Sequence, residues 1–191
     1  MKIGVLALQG DFLEHIETLK KLKVEAIPVR LPQELNGLDG LIIPGGESTT
    51  LRRLGTEYGL LPAIKEFKQK GQAIFGTCAG MILLAKRATE LENGSLALID
   101  IEVKRNAFGS QIDSFEENLR VPVLGEPPFH AVFIRAPLIQ KVGPDVEVLA
   151  KLHDGTPVAA RQGKILVAAF HPELTSDLRF HAYFLNIVAA N

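Results

Sequence analysis

One cysteine, no tryptophan, two tyrosines and two methionines stand among 191 residues, and the first two shortages each remove a class of function. A single thiol cannot close an internal disulfide, so a reducing cytoplasm is the expected compartment. Nor can it build a thiolate zinc site. The lack of tryptophan, with no interleaving of aromatic and basic residues, speaks against nucleic acid. Lysine and arginine number 21 against 22 aspartates and glutamates. The resulting charge of -1 gives no footprint for nucleic acid or an anionic membrane surface. No apolar run approaches the roughly 20 residues that span a bilayer. The opening run, Lys2 to Leu8, is short and is followed at once by Asp11, Glu14 and Glu17, so it reads as a first strand and not a signal peptide. There is no repeat, linker or low-complexity tract, and residues 1–191 are expected to form one domain with a sizeable core.

The first half alternates short apolar runs with longer amphipathic ones. Strands are expected at Lys2 to Leu8, Glu25 to Arg30, Gly40 to Pro44 and Ala73 to Phe75, and helices at Phe12 to Lys23, Ser48 to Leu54, Leu61 to Lys70 and Ala79 to Ala85. Such alternation implies parallel pairing through right-handed crossovers. The second half is strand-rich: Leu96 to Val103, Leu119 to Val123, Phe129 to Ala136, Val146 to Leu152, Pro157 to Arg161 and Lys164 to Phe170, separated by Gly, Pro and Asn turns. Ser176 to Ala189 closes as a helix, with Ser176 as its cap and Asp177 in its first turn. Asn106 to Asn118 is the most loop-like stretch and reads as a flap near a site. The expected fold is α/β: a three-layer sandwich with a mostly parallel central sheet, helices on both faces and antiparallel additions in the C-terminal half.

What the chain does have is its lone cysteine in Gly76-Thr77-Cys78-Ala79-Gly80, directly after an apolar strand and before a helix. The glycines permit a tight turn and leave the sulfur open to approach, and a helix start favours thiolate over thiol. A thiol nucleophile needs a base and a group to orient that base. His171 follows the strand Lys164 to Phe170, at the edge where open parallel sheets gather ligands. Glu173 follows across Pro172; if the extended geometry continues, period-two alternation sets His171 and Glu173 on one side. Gly45-Gly46-Glu47-Ser48-Thr49 follows another strand and opens a helix. Its glycines turn backbone N–H groups toward a ligand, so Gly46 and Ala79 are candidate oxyanion donors, each worth roughly 2.7–4 kcal/mol in acyl transfer. The loop lacks the Gly-Lys-Ser/Thr ending of a phosphate loop and the glycine spacing of a dinucleotide site. His15 and His181 lie on amphipathic helices, His130 in a strand and His153 in a turn, none at metal-ligand spacing, so no metal or cofactor is assigned. A stand-alone cysteine hydrolase, such as a γ-glutamyl peptidase or an intracellular protease, remains open on these residues, as does a non-catalytic redox or chaperone-like module.

Taken together, the three segments resemble class I, triad-type glutamine amidotransferases. Leu6-Ala7-Leu8-Gln9-Gly10-Asp11-Phe12 with Glu14-His15, the run Pro44 to Thr50, and Phe75 to Gly80 are similar to the glutaminase subunits of pyridoxal 5'-phosphate synthases, over nearly the whole chain. The resemblance implies a catalytic Cys78, His171 and Glu173 that cleave L-glutamine to glutamate and ammonia through a glutamyl thioester. It implies contacts to glutamine from Gly46, Glu47, Ser48, Arg105, Ile134 and Arg135. It also implies a partner, the barrel-shaped synthase subunit that receives the ammonia in a large hetero-oligomer.

Overall fold

The computed structural model describes residues 1–89, 95–105 and 114–190. The first half runs β1 (Lys2–Leu6), α1 (Phe12–Lys21), β2 (Glu25–Val29), β3 (Gly40–Ile43), α2 (Ser48–Glu57), α3 (Leu60–Gln69), β4 (Ala73–Thr77) and α4 (Ala79–Leu84). The second adds β5 (Ala85–Ala88), β6 (Ile99–Lys104), β7 (Ser114–Leu119), β8 (Phe129–Ile134), β9 (Leu138–Val142), β10 (Glu147–Lys151), β11 (Pro157–Gln162), β12 (Ile165–Ala168) and α5 (Arg179–Ala189). The main sheet has seven strands in the order β10-β11-β12-β4-β3-β1-β2. The five from β12 to β2 are parallel, and β11 and β10 are added antiparallel. β3, β4 and β12 are buried at every position, as continuous apolar strands in a parallel sheet must be.

Helices cover both faces. In β4, Phe75 meets His181 and Phe184 of α5, while a side chain on the next residue, Gly76, would run toward Leu84 of α4. Successive strand residues point to opposite faces, so α5 and α4 lie on opposite sides of the sheet. α1 lies on the α5 side, since His15 and His181 touch. Its buried stripe, His15, Ile16 and Leu19, and that of α5, Phe180, Phe184 and Ile187, follow helical spacing. A mixed three-stranded sheet, β5-β6-β9, and the hairpin β7–β8 complete the fold. Among the described residues no helix is long and apolar enough to cross a membrane.

Four expectations are corrected here. The run Leu119 to Val123 is not a strand: Pro122 opens a 3-10 turn, and the strand lies earlier, at Ser114–Leu119. That also removes the end of the expected flap, of which residues 106–113 lie outside the described residues. β8 stops at Ile134 because Arg135 takes a positive φ of 44°, and the chain restarts as β9 against β6. α5 starts at Arg179, with Leu178 and not Ser176 at the cap position. Asp177 precedes the helix; its Oδ1 accepts the Arg179 N–H at 3.0 Å, and its own N–H donates to Thr175 Oγ1 at 3.2 Å.

Candidate active site

β4 and β12 are neighbours in the sheet, with Thr77 opposite Ala168. Cys78 and His171 therefore leave adjacent strand ends. Cys78 itself has φ 48° and ψ -105°, a conformation costly for any residue with a Cβ, on the order of 1–3 kcal/mol. Its N–H donates to Ala168 O at 2.8 Å and its carbonyl accepts the Ile82 N–H at 3.2 Å, which pins the turn at both ends. The unusual backbone angle thus falls on the cysteine, not on the flanking glycines as expected. Those glycines serve close approach instead: a Cβ at Gly80 would collide with the Ile43 carbonyl oxygen, and one at Gly76 would lie 2.7 Å from the Gly80 carbonyl carbon.

His171 is anchored from behind. Phe170 is fully buried and packs edge-to-face on Phe180 and Phe133, with centroids 5.1 and 5.5 Å away. The His171 N–H donates to Val132 O on β8 at 2.8 Å. Extended geometry does not continue past it, because Pro172–Leu174 forms a 3-10 turn. Glu173 meets the imidazole across that turn rather than by strand alternation, and His171 Nδ1 lies 2.7 Å from Glu173 Oε1. Asp11 Oδ2, from the loop after β1, reaches the same nitrogen at 3.2 Å. With Nδ1 held by carboxylates, Nε2 is the ring nitrogen left free of them, and the Cys78 thiol, on the neighbouring strand end, donates to Ile134 O at 3.8 Å.

Burial works against charge on this imidazole, yet hydrogen bonds with Asp11, Cys78 and Glu173 outweigh it and push His171 up to about 12 from an ordinary 6.5. Burial raises the Glu173 carboxyl, and the His171 contact opposes that rise. The charged form of the imidazole is therefore favoured.

The glycine loop closes the other side. A Cβ at Gly45 would overlap His171 Cε1, so glycine there lets the loop lie against the ring. Gly46 has φ +134°, a region that L side chains rarely adopt, and Gln9 packs directly on it. Gln9 Oε1 accepts the Glu47 N–H at 3.0 Å. Glu47 caps α2, accepting the N–H groups of Thr49 at 2.9 Å and Thr50 at 2.7 Å. Burial would raise its carboxyl, but these bonds lower it from 4.5 to about 2. Arg105 Nη2 sits 3.3 Å from Glu47 Oε1. A cavity of about 670 Å³ is lined by Cys78, His171, Gly46, Glu47, Ser48, Arg105, Ile134 and Arg135, together with Asp11, Ile82 and Ser114. Every predicted substrate contact lines it. Ala79 is buried at the first position of α4, and Glu173 lies behind His171.

Among the described residues, Asp11, His171 and Glu173 are the one group whose ligating atoms fall within 4.8 Å of one another. Both carboxylates already engage the same imidazole nitrogen, so a metal there would have to break that pairing. Sequence reasoning gave Asp11 no role of its own, although its place just past the end of β1 put it on the site's edge. His15 and His181 were read as ordinary helix residues; both are fully buried, and His15 Nε2 lies 3.3 Å from Glu173 Oε2.

A cysteine on a strained turn, an imidazole backed by a carboxylate, and a glycine loop across a shared cavity make the arrangement a nucleophilic amide hydrolase requires. The chain belongs to the SNO glutamine amidotransferase family, whose sequence profile matches residues 5–190. It is 58% identical over 190 residues to the pyridoxal 5'-phosphate synthase subunit PdxT of Herpetosiphon aurantiacus, covering 98% of this chain and 100% of the relative. With the subunit of that name from Oenococcus oeni it shares 56% identity over 191 residues, covering 100% and 98%. A solved glutamine amidotransferase superposes with a TM-score of 0.93 at 52% identity, covering 98% of this chain and 99% of the other. A solved protein from Thermoplasma acidophilum, at 20% identity and a TM-score of 0.71, shares the fold.

Proposed function

We propose that residues 1–191 form a single glutaminase domain that hydrolyses L-glutamine to glutamate and ammonia. The ammonia passes to a synthase subunit making pyridoxal 5'-phosphate in the cytoplasm. The supporting observation is that Cys78 and His171, the latter hydrogen-bonded to Glu173 at 2.7 Å, line one cavity with all the predicted substrate contacts. The Cys78 thiolate attacks the side-chain carboxamide carbon, and the carbonyl electrons move onto oxygen, stabilised by backbone N–H groups at Gly46 and Ala79. As the tetrahedral adduct collapses, the His171 imidazolium gives its proton to the nitrogen and ammonia leaves. His171, now neutral, takes a proton from water attacking the glutamyl thioester; glutamate departs and the thiolate returns. Glu173 holds the ring and balances its charge throughout. Arg105 and Arg135 are the cations of the cavity, suited to the substrate's α-carboxylate.

The partner is the barrel-shaped synthase subunit, and the assembly is a hetero-oligomer. Gln9 and Gly10 carry the means of coupling. Gln9 bonds the Glu47 N–H, and a Cβ at Gly10 would strike the Gly45 carbonyl oxygen, so the end of β1 bears directly on the oxyanion loop. A subunit docking on α1 and the β1 end moves those donors. The test is glutamate release by wild type and Cys78→Ala, each with and without the synthase subunit. Wild type is expected to be slow alone and faster in complex, and Cys78→Ala inactive in both. Release by Cys78→Ala at the wild-type rate would overturn the hydrolase assignment, and equal wild-type rates with and without the synthase would overturn the coupling.

A further inference from the structure

Behind Glu173 the core contains a polar chain that the mechanism above leaves unused. His15 on α1 and His181 on α5 are both wholly inaccessible to solvent. His15 Nδ1 lies 2.9 Å from His181 Nε2. His15 Nε2 lies 3.2 Å from Thr77 Oγ1, on the residue before the nucleophile, and 3.3 Å from Glu173 Oε2. Two atoms at the ends of this chain, Glu173 Oε2 and His181 Nδ1, are buried without an aligned hydrogen-bond partner.

The tautomers follow from counting protons. Burial keeps both imidazoles neutral: His15 is driven well below 6.5 by burial and then by nearby His181 and His171, and His181 falls to about 3 by burial. Each ring therefore has one N–H. If His15 carried its proton on Nδ1, it would donate to His181 Nε2. His181 Nδ1 would then bear a buried N–H with no acceptor, and a bare His15 Nε2 would face the carboxylate. Both are unfavourable. With the protons on His181 Nε2 and His15 Nε2, the only group left unpaired at the far end is a lone pair. His15 then offers its N–H to Thr77 Oγ1, with Glu173 Oε2 at a comparable distance. A buried carboxylate oxygen without a donor is costly, and His15 Nε2 lies 3.3 Å from it.

We propose that His15 is a positioning residue of this site: its Nε2–H, shared between Thr77 and Glu173, holds the second carboxylate oxygen so that the first stays on His171, while His181 fixes the His15 tautomer. This rests on the glutaminase reading. The titratable groups facing the His171–Glu173 pair are Asp11 from the loop before α1, His15 from α1 and Cys78 after β4; His181 of α5 faces it through His15. Of these, His15 is the neutral group whose N–H lies 3.3 Å from the carboxylate.

The test uses the complex with the synthase subunit and compares His15→Leu, His15→Gln and His181→Phe. His15→Leu is expected to lower kcat about 10–100-fold with KM for glutamine little changed, as loss of an outer orienting group does. Glu173 becomes harder to ionise, so the acid limb of kcat/KM moves up by about one pH unit. His15→Gln keeps an N–H near the Nε2 position and restores most of kcat and the limb. His181→Phe shifts the limb the same way by less, and it serves if His15→Leu does not fold. Alkylation of Cys78 by iodoacetamide against pH, without glutamine, reads the same limb. It therefore separates failure of this proposal from failure of the glutaminase assignment, in which wild type would release no glutamate. An unmoved limb in His15→Leu or His181→Phe, or a His15→Gln variant as impaired as His15→Leu, overturns the positioning role.

Discussion

The two sides of the His171–Glu173 pair are built from opposite materials. Toward the cavity lie the charged, partly exposed Asp11 and Glu47–Arg105 pair, and a buried cysteine in a strained conformation. Toward the core lie neutral, solvent-free ones: His15, His181 and the aromatic packing around Phe170. The cavity side supplies reactive charge, which water and substrate can reach and rearrange. The core side supplies fixed direction, because a buried polar group that loses its partner has no water to replace it. Orientation is thus kept where solvent cannot compete, and reactivity where substrate must enter.

Substitutions on the two sides of the pair test that division directly. Glu173→Gln removes the core-side carboxylate and is expected to cost on the order of 10³–10⁴-fold in kcat, measured as glutamate release in the complex. A loss below tenfold would mean that Asp11 can replace it. Gly45→Ala pushes a methyl into the imidazole, and kcat is expected to fall about 10²-fold while the fold persists, read by circular dichroism. Asp11→Asn removes a cavity-side carboxylate. Its expected cost in kcat at neutral pH is tenfold or less, on the lower side of general acid–base contributions. Activity needing the imidazolium is present below the His171 value and lost above it; that value is pushed up to about 12, the Asp11 bond helping to hold it there. The alkaline limb of kcat/KM in Asp11→Asn should therefore move down toward neutrality. Glu47→Gln weakens the cap of α2 and should cost about 1 kcal/mol or less of stability, reduced by solvent screening at this exposed side chain. The Glu47 carboxyl is depressed from 4.5 to about 2, so its contribution is complete above pH 4.5 and disappears as pH falls toward 2. Melting curves of wild type and Glu47→Gln should converge in that window.

Cys78, His171, Glu173 and the Gly45–Ser48 loop were legible because each follows an apolar run, and in a parallel sheet such run ends meet at one edge. The fold class was legible for the same reason. β7 was not. Its residues, Ser114–Leu119, are mostly polar, and its partner is β8, with Phe115 stacked on Phe133 at 4.5 Å; that pairing leaves no local pattern. The geometry between His171 and Glu173 was misread because Pro172 was assigned to extended chain and instead opens a turn. His15 and His181 are 166 residues apart, so their contact has no sequence signature. One clue was available: His15 sits on the stripe of Phe12, Ile16 and Leu19, where a polar side chain must find a buried partner.

The torsion at Cys78 sets usefulness against durability in this fold. At most positions glycine makes a chain roughly 0.5–1 kcal/mol less stable than alanine does. At φ 48° that order should invert, since glycine alone relaxes there. The inert chain with glycine at this corner would then outlast the inert chain with alanine, and a lineage with no need of the sulfur could gain robustness by discarding it.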